Sequence, residues 1–182
     1  MRSRSSTRKL TTETQLYTSA LRALMRRAHS IHEMRDYLAR RAEDKELISP
    51  VIARLRELQY LDDARYATDY ARQHARTRRQ GRFRIARELR GRGVPDRYIE
   101  SALDAVFAET DEAALVRGRV KRRLAHLRGP LDQRKIASLY RSLLSAGFSS
   151  DVIRAELRNI TYADSAAVDD LAAEAEAGGE DP

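Results

Sequence analysis

Apolar residues recur every three or four positions along most of the chain, and sustained two-residue alternation is hard to find. That spacing lays side chains along one face of a helix. Leu16, Ala20, Leu24 and Ala28 share a face, with Tyr17, Leu21 and Met25 beside them, which predicts a first helix over Thr12–His29. Ser30 to Glu33 reads SIHE, a capping box in which the serine oxygen accepts a free amide while the glutamate reaches back. It starts a second helix rather than continuing the first. Asp62–Arg78 and about Asp111–Arg128 carry the same period, and Gly129-Pro130 stops the last of these.

A longer repeat lies over the short one. The offsets of Met34, Leu38, Ile48, Ile52 and Leu55 fall again on Ile85, Leu89, Ile99, Leu103 and Val106, and again on Leu139, Leu143, Ile153, Leu157 and Ile160. Every position is aliphatic or Met. Helical periodicity accounts for the short offsets but not for a ten-residue step across a turn, repeated three times. Gly93-Val94 and Gly147-Phe148 occupy the same place in that step. A glycine ends a helix cheaply in the left-handed conformation, and the apolar residue after it packs back on the last turn. Asp96 and Ser150 then cap the following helices. The first repeat has Ala42-Glu43 there, so its turn must close differently.

The expected fold is all-α, an elongated array of three tandem three-helix modules over 12–60, 61–109 and 110–162. A single compact bundle is the alternative, and solution scattering separates the two. Residues 1–11 form a basic N-terminus without acids, and 163–182 form an acidic tail without bases; both are expected to be disordered. The tail reads as solubilising, with folding over the basic surface as the alternative.

Charge narrows the function classes. The 182 residues carry a formal net charge of +8, and the acidic tail masks a still more basic middle. A basic surface favours acidic partners, nucleic acid first. Cysteine is absent, which excludes disulfides and thiolate metal sites and fits a cytoplasmic protein. No apolar run approaches the roughly 18 residues of a membrane span, and the N-terminus does not read as a secretory signal. His29 and His32 flank an interhelical turn with no further ligand nearby, which argues against a metal. No phosphate loop, nucleophile elbow or metalloprotease motif appears. The expectation is a protein that is no enzyme, with no cofactor and no membrane partner, acting as a monomer.

The stretch YLDDARYATDYARQ, followed by GRFRIARELRGRGV, opens on two aspartates and becomes an arginine field. Asp62 and Asp63 stand where a helix begins, so they are expected to cap it and to face the positive end of its dipole. Arg65 or Arg84 is a further candidate partner for Asp63. Arg72, Arg76 and Arg79 are spaced as one helical stripe, and Arg82, Arg84, Arg87 and Arg90 follow. A second cluster, Arg117, Arg119, Lys121, Arg122 and Arg123, lies on a helix whose apolar face is Val116, Val120 and Leu124. Arginine makes forked bonds to carboxylate or phosphate that lysine cannot copy. The candidate partner-binding set is therefore Arg72, Arg76, Arg79, Arg82, Arg84, Arg87, Arg90, Arg117 and Lys121. Glu88 is expected to hold Arg84 or Arg92 in place. Tyr66, Tyr70 and Tyr98 have the ring faces to stack on bases, but Tyr66 and Tyr70 lie four apart beside Ala67 and Ala71, which favours packing.

These two stretches together resemble the signature of the RecX family, regulators of the RecA recombinase. Tyr60, Leu61, Asp62, Asp63, Arg65, Tyr66, Ala67 and Tyr70 carry the first half. Gly81, Arg84, Ile85, Glu88, Leu89, Gly93 and Val94 carry the second. Gln59 and Ala42 stand where the family often has glycine, which puts turn geometry in question. The resemblance implies a modulator of DNA repair built from three-helix repeats. It implies binding to the RecA–single-stranded-DNA filament, in its groove, with inhibition of recombinase and ATPase action. An autonomous DNA-binding protein using the arginine-rich face, on single- or double-stranded DNA, is the alternative.

Overall fold

The computed structural model describes residues 9–126 and 131–159. Apart from one isolated bridge between Leu10 and Ala42, the regular structure of these residues is helical. In order they form α1 (Glu13–Leu24), α2 (Ile31–Ala39), α3 (Ile48–Glu57), α4 (Asp63–Arg78), α5 (Arg82–Arg90), α6 (Asp96–Ala108), α7 (Glu112–Leu124) and α8 (Gln133–Ser145). A further helical stretch, α9, covers 150–159. The Gly129-Pro130 stop, Ile160 and the acidic tail lie outside the described residues, as do residues 1–8 of the basic N-terminus.

The described residues fall into two compact units. The first lies within Met1–His74 and Ile85–Ala108, the second within Ala75–Arg84 and Glu109–Pro182. In the first, α1, α2 and α3 close around Leu16, Met34, Leu38, Ile52 and Leu55. Ile85, Leu89, Ile99, Leu103 and Val106 are buried in their turn. In the second, Val116, Val120, Leu139, Leu143, Phe148, Ile153 and Leu157 form one cluster. The fourteen described positions of the apolar repeat are therefore all buried.

The first helix ends at Leu24, short of the His29 that periodicity predicted. Met25 is 86% exposed and Ala28 is exposed too, so the apolar face has nothing to cover beyond Ala23. The turn that replaces it lets Arg27 reach both the Ala28 carbonyl and Glu33. The capping box at Ser30 and Glu33 is complete.

The glycine turns define how successive repeats meet. Gly93 and Gly147 have φ of 70° and 89°. After each, the apolar residue bonds back to the last turn, Val94 N–H to the Leu89 carbonyl (3.2 Å) and Phe148 N–H to the Leu143 carbonyl (3.3 Å). The carbonyl just before each glycine accepts a bond from the N-terminus of the preceding repeat's middle helix. Ser30 Oγ donates to the Arg92 carbonyl at 2.6 Å in the first unit. Gly81 N–H donates to the Ala146 carbonyl at 2.9 Å, and Phe83 N–H to the Gly147 carbonyl at 3.0 Å, in the second. The bodies touch closely: a Cβ on Gly93 would come within 2.3 Å of the His32 ring, and one on Gly147 within 2.3 Å of the Arg84 backbone nitrogen.

In the first repeat the equivalent carbonyl belongs to Arg41. Leu10 N–H donates to it at 2.8 Å, and Glu43 N–H returns a bond to the Leu10 carbonyl at 3.0 Å. Leu10, assigned by its sequence neighbours to a disordered arm, is thus pinned as a one-residue cap, and Ala42 needs no left-handed conformation. The Gln59 departure is different. Gln59 sits at φ 58°, so it holds the left-handed conformation that glycine adopts without strain.

Two outcomes follow for stability. Gly147→Ala forces a side chain into a left-handed position, costing about 1–2 kcal/mol, and overpacks the joint for about 1–3 kcal/mol more; thermal unfolding should show a clear drop in melting temperature. Gln59→Gly relieves the same strain at an open turn, less about 0.5–1 kcal/mol of backbone entropy, and should leave melting unchanged or slightly raised.

Candidate partner-binding surface

Asp62 and Asp63, adjacent in sequence, cap two different helices. Asp62 Oδ1 accepts from the amides of Ala64 (2.8 Å) and Arg65 (3.0 Å), closing the start of α4. Asp63 is buried, and its Oδ1 accepts from the Ile31 amide at 2.9 Å, at the start of α2. Neither Arg65 nor Arg84 is its partner; Arg65 instead donates to the Gln59 carbonyl. Burial raises the Asp63 carboxyl above the ordinary aspartate value, against the Ile31 amide, which lowers it.

Around this pair runs a polar network that joins α2, α4 and α5 within the first unit. Glu33 Oε1 takes Arg92 Nη1 at 2.7 Å, while Arg27 Nη1 approaches Oε2 at 3.0 Å and the Tyr66 hydroxyl donates to Oε2 at 3.4 Å. Burial alone would raise the Glu33 carboxyl; Arg27, the Ser30 amide and Arg92 together hold it below the ordinary glutamate value. Burial, with Glu33 adding to it, pushes the Tyr66 phenol up to about 12, so it remains a neutral donor.

Glu88, expected to hold Arg84 or Arg92, is also met by side chains of α4. The Tyr70 hydroxyl donates to its Oε2 at 2.7 Å, and His74 Nδ1 lies 3.3 Å away. Tyr70 stacks on His74 with ring centroids 3.8 Å apart, and the Arg92 guanidinium lies 5.0 Å from the Tyr70 centroid. Of the signature residues, Asp63 is buried, Tyr66 and Glu88 are partly buried within this network, Asp62 caps α4 nearer the surface, and Gly93 forms the exposed turn. Sequence reasoning missed Arg27 and His74 in this network. The only signal was His74 lying four residues after Tyr70, on the same helix face.

The arginines sort by what already holds them. In the first unit Arg90 Nε is tied to Asp96 at 2.6 Å, Arg72 has only a 3.9 Å approach to Asp69, and Arg87 is exposed with no ion pair among the described residues. In the second unit Arg117 is held by Glu156 (2.8 Å) and Asp111 (3.2 Å). Arg84 reaches toward the Ser145 carbonyl at 3.5 Å, and Arg82 stands beside Glu112. Arg76 and Lys121 are exposed, with no ion pair among the described residues.

Arg79 does not continue the stripe of Arg72 and Arg76. Helix α4 ends at Arg78, and Arg79 turns away at φ 49°. Its carbonyl accepts from Arg119 Nη1 at 3.2 Å.

Residues 17–55 match RecX, first three-helix domain, and residues 62–103 match RecX, second three-helix domain. Regulatory protein RecX of Halorhodospira halophila is 39% identical over 137 residues, covering 75% of this chain and 83% of that protein. The chain belongs to the RecX family. The RecX of Leptothrix cholodnii is 38% identical, over 76% of this chain and 85% of its own. The crystal structure of RecX from Lactobacillus salivarius superposes with a TM-score of 0.69 at 26% identity, covering 82% of this chain and 97% of that one. RecX is a family of regulatory proteins. Among the described residues no helix is long and apolar enough to cross a membrane.

Asp63 of the signature and Glu33 of the capping box respond oppositely to acid. With its carboxyl raised, Asp63 contributes most stability at low pH, and that contribution is lost as pH climbs from the ordinary aspartate value through the raised one. Glu33 runs the other way: its contribution is present above the ordinary glutamate value and is lost as pH falls through the lowered one. Asp63→Asn keeps an acceptor for Ile31 without the charge. Its melting temperature relative to the parent should therefore climb as pH rises from the ordinary aspartate value through the raised one; a difference that stays flat with pH would mean that the carboxyl is not raised. Asp62→Ala and Asp63→Ala should each cost about 0.5–2 kcal/mol at neutral pH, read by thermal melting.

Proposed function

We propose that this protein regulates RecA by binding the RecA–single-stranded-DNA filament and restraining its ATP turnover and strand exchange. Membership of the RecX family carries the reading. Its relatives are named as regulatory proteins, and the signature stretch that defines them is present with its joint assembled.

The surface that supports it is what remains after the internal pairs are subtracted. In the first unit Arg72 and Arg87 are exposed and weakly held or unheld by carboxylates among the described residues, so their guanidinium forks are available to acidic side chains of a protein partner. A filament repeats its subunits, and this chain repeats its modules. Contacts made by more than one module raise avidity without demanding a strong contact from any one. The signature aspartates, tyrosines and Glu88 serve by holding the repeats together.

The test is RecA ATPase on single-stranded DNA, titrated with the purified protein. The parent should inhibit. Arg72→Glu/Arg87→Glu, checked for unchanged helicity and melting, should need about ten times more protein for the same inhibition, equivalent to about 1.4 kcal/mol of lost binding. Unchanged inhibition by the folded double variant removes this surface from the contact, and no inhibition by the parent removes the reading itself.

A further inference from the structure

The second unit gathers guanidinium groups in a cleft with no carboxylate among its described lining residues. A cleft of about 440 Å³ between α7 and α8 is lined by Arg78, Arg119, Arg122, Arg123 and His126, over an apolar floor of Val120, Leu139 and Leu143. Its volume falls within the roughly 300–1,000 Å³ usual for small-ligand clefts. None of its lining residues is acidic. The nearby acids of this unit are engaged elsewhere: Asp111 and Glu156 hold Arg117, and Glu112 stands beside Arg82.

The backbone turn at Arg79 sets that residue against Arg119, one of the lining arginines. A non-glycine residue at φ 49° costs about 1–2 kcal/mol. The turn aims the guanidinium over α7, where a Cβ at Gly118 would lie 3.8 Å from Arg79 Nη1. Arg119 lies half-buried beneath, its Nη1 tied only to the Arg79 carbonyl. Arg122 Nε is satisfied by the Gly118 carbonyl. Burial is the chief reason the Arg119 pKa falls below the ordinary arginine value, and the cations of Arg122, Arg84 and Arg79 push it the same way. Folding alone does not reward crowding like charges around an open cleft; a bound anion would offset their repulsion.

We propose that this cleft binds phosphate esters, with Arg78, Arg119, Arg122 and Arg123 gripping the phosphates. Guanidinium forks match phosphate oxygens in pairs, which a lysine cluster could not do. The phosphates come from a nucleic-acid strand or from a free nucleotide, and the apolar floor gives either one a surface for its sugar or base. The site needs no second protein, so it stands or falls apart from the filament reading.

The full chain is titrated against fluorescein-labelled oligo-dT by anisotropy, and against ATP and ADP by calorimetry, without RecA. Arg122→Gln/Arg123→Gln changes two exposed side chains and spares the half-buried Arg119. Arg22→Gln/Arg35→Gln, exposed residues of the first unit, removes equal charge from outside the cleft. With melting unchanged, the cleft variant should bind oligo-dT at least tenfold more weakly, and its log–log salt slope should shrink by about 0.7 per lost phosphate contact. The control pair should bind like the parent. Arg122→Lys/Arg123→Lys should recover only part of the loss.

If ATP and ADP displace the oligonucleotide at matched phosphate concentration and lose affinity in the same variant, the source is a free nucleotide. If they do not, the source is a strand. Equal loss in the control pair, no loss in the cleft variant, or binding of poly-glutamate in the cleft in preference to both phosphate ligands each overturns the proposal.

Discussion

One backbone carbonyl per repeat organises this protein. At Arg92 and Ala146 a left-handed glycine turn leaves the carbonyl pointing outward, and the start of an earlier helix supplies a donor at 2.6 and 2.9 Å. Burying such a group without a partner would cost about 1–3 kcal/mol. A repeat of about fifty residues is also too small to bury a sufficient core alone. The joint answers both demands, because the hydrogen bond forms where apolar faces of neighbouring repeats close. At Arg41 the donor is the Leu10 amide instead.

The joint also explains the division of labour among charged residues. Asp62, Asp63, Glu33 and Glu88 accept from amides, hydroxyls, a histidine and arginines, so the acids of the signature are spent on architecture. Arg27 and Arg92 are spent with them. Other arginines are balanced near the surface, as Arg90 is by Asp96 and Arg117 by Glu156 and Asp111. What remains is cationic. In the first unit it is an exposed helix surface; in the second it is a cleft whose crowding costs the folded state. Exposed and crowded arginines differ physically. The first are screened by water and salt and suit long-range attraction to a partner. Among the second, Arg119 is partly desolvated, and beside it an anion is worth more.

Much of this was legible in the sequence because it is local. Helix positions, the capping box at Ser30 and the glycine turns rest on interactions spanning three to five residues, which periodicity and residue type report directly. The apolar register repeated at a fixed offset, and each of its described members is buried. Even the departures at Ala42 and Gln59 pointed to the turns that close unusually, one by a bridge to Leu10 and the other by a strained left-handed glutamine.

Tertiary structure alone decided which charges remain available. Asp63 reaches the Ile31 amide, Arg92 reaches Glu33 and Arg119 reaches the Arg79 carbonyl, across separations of 32, 59 and 40 residues. No helical period encodes such pairings, and an arginine list cannot separate a tied guanidinium from a free one. Arg79 shows the limit most directly. Its spacing from Arg72 and Arg76 placed it on their stripe, yet the helix stops one residue earlier and the turn carries it over α7. The sequence determined that this chain is a helical repeat with a surplus of positive charge. Packing determined where that surplus survives, because a long flexible cation takes its partner from whatever acid or carbonyl the fold brings within reach.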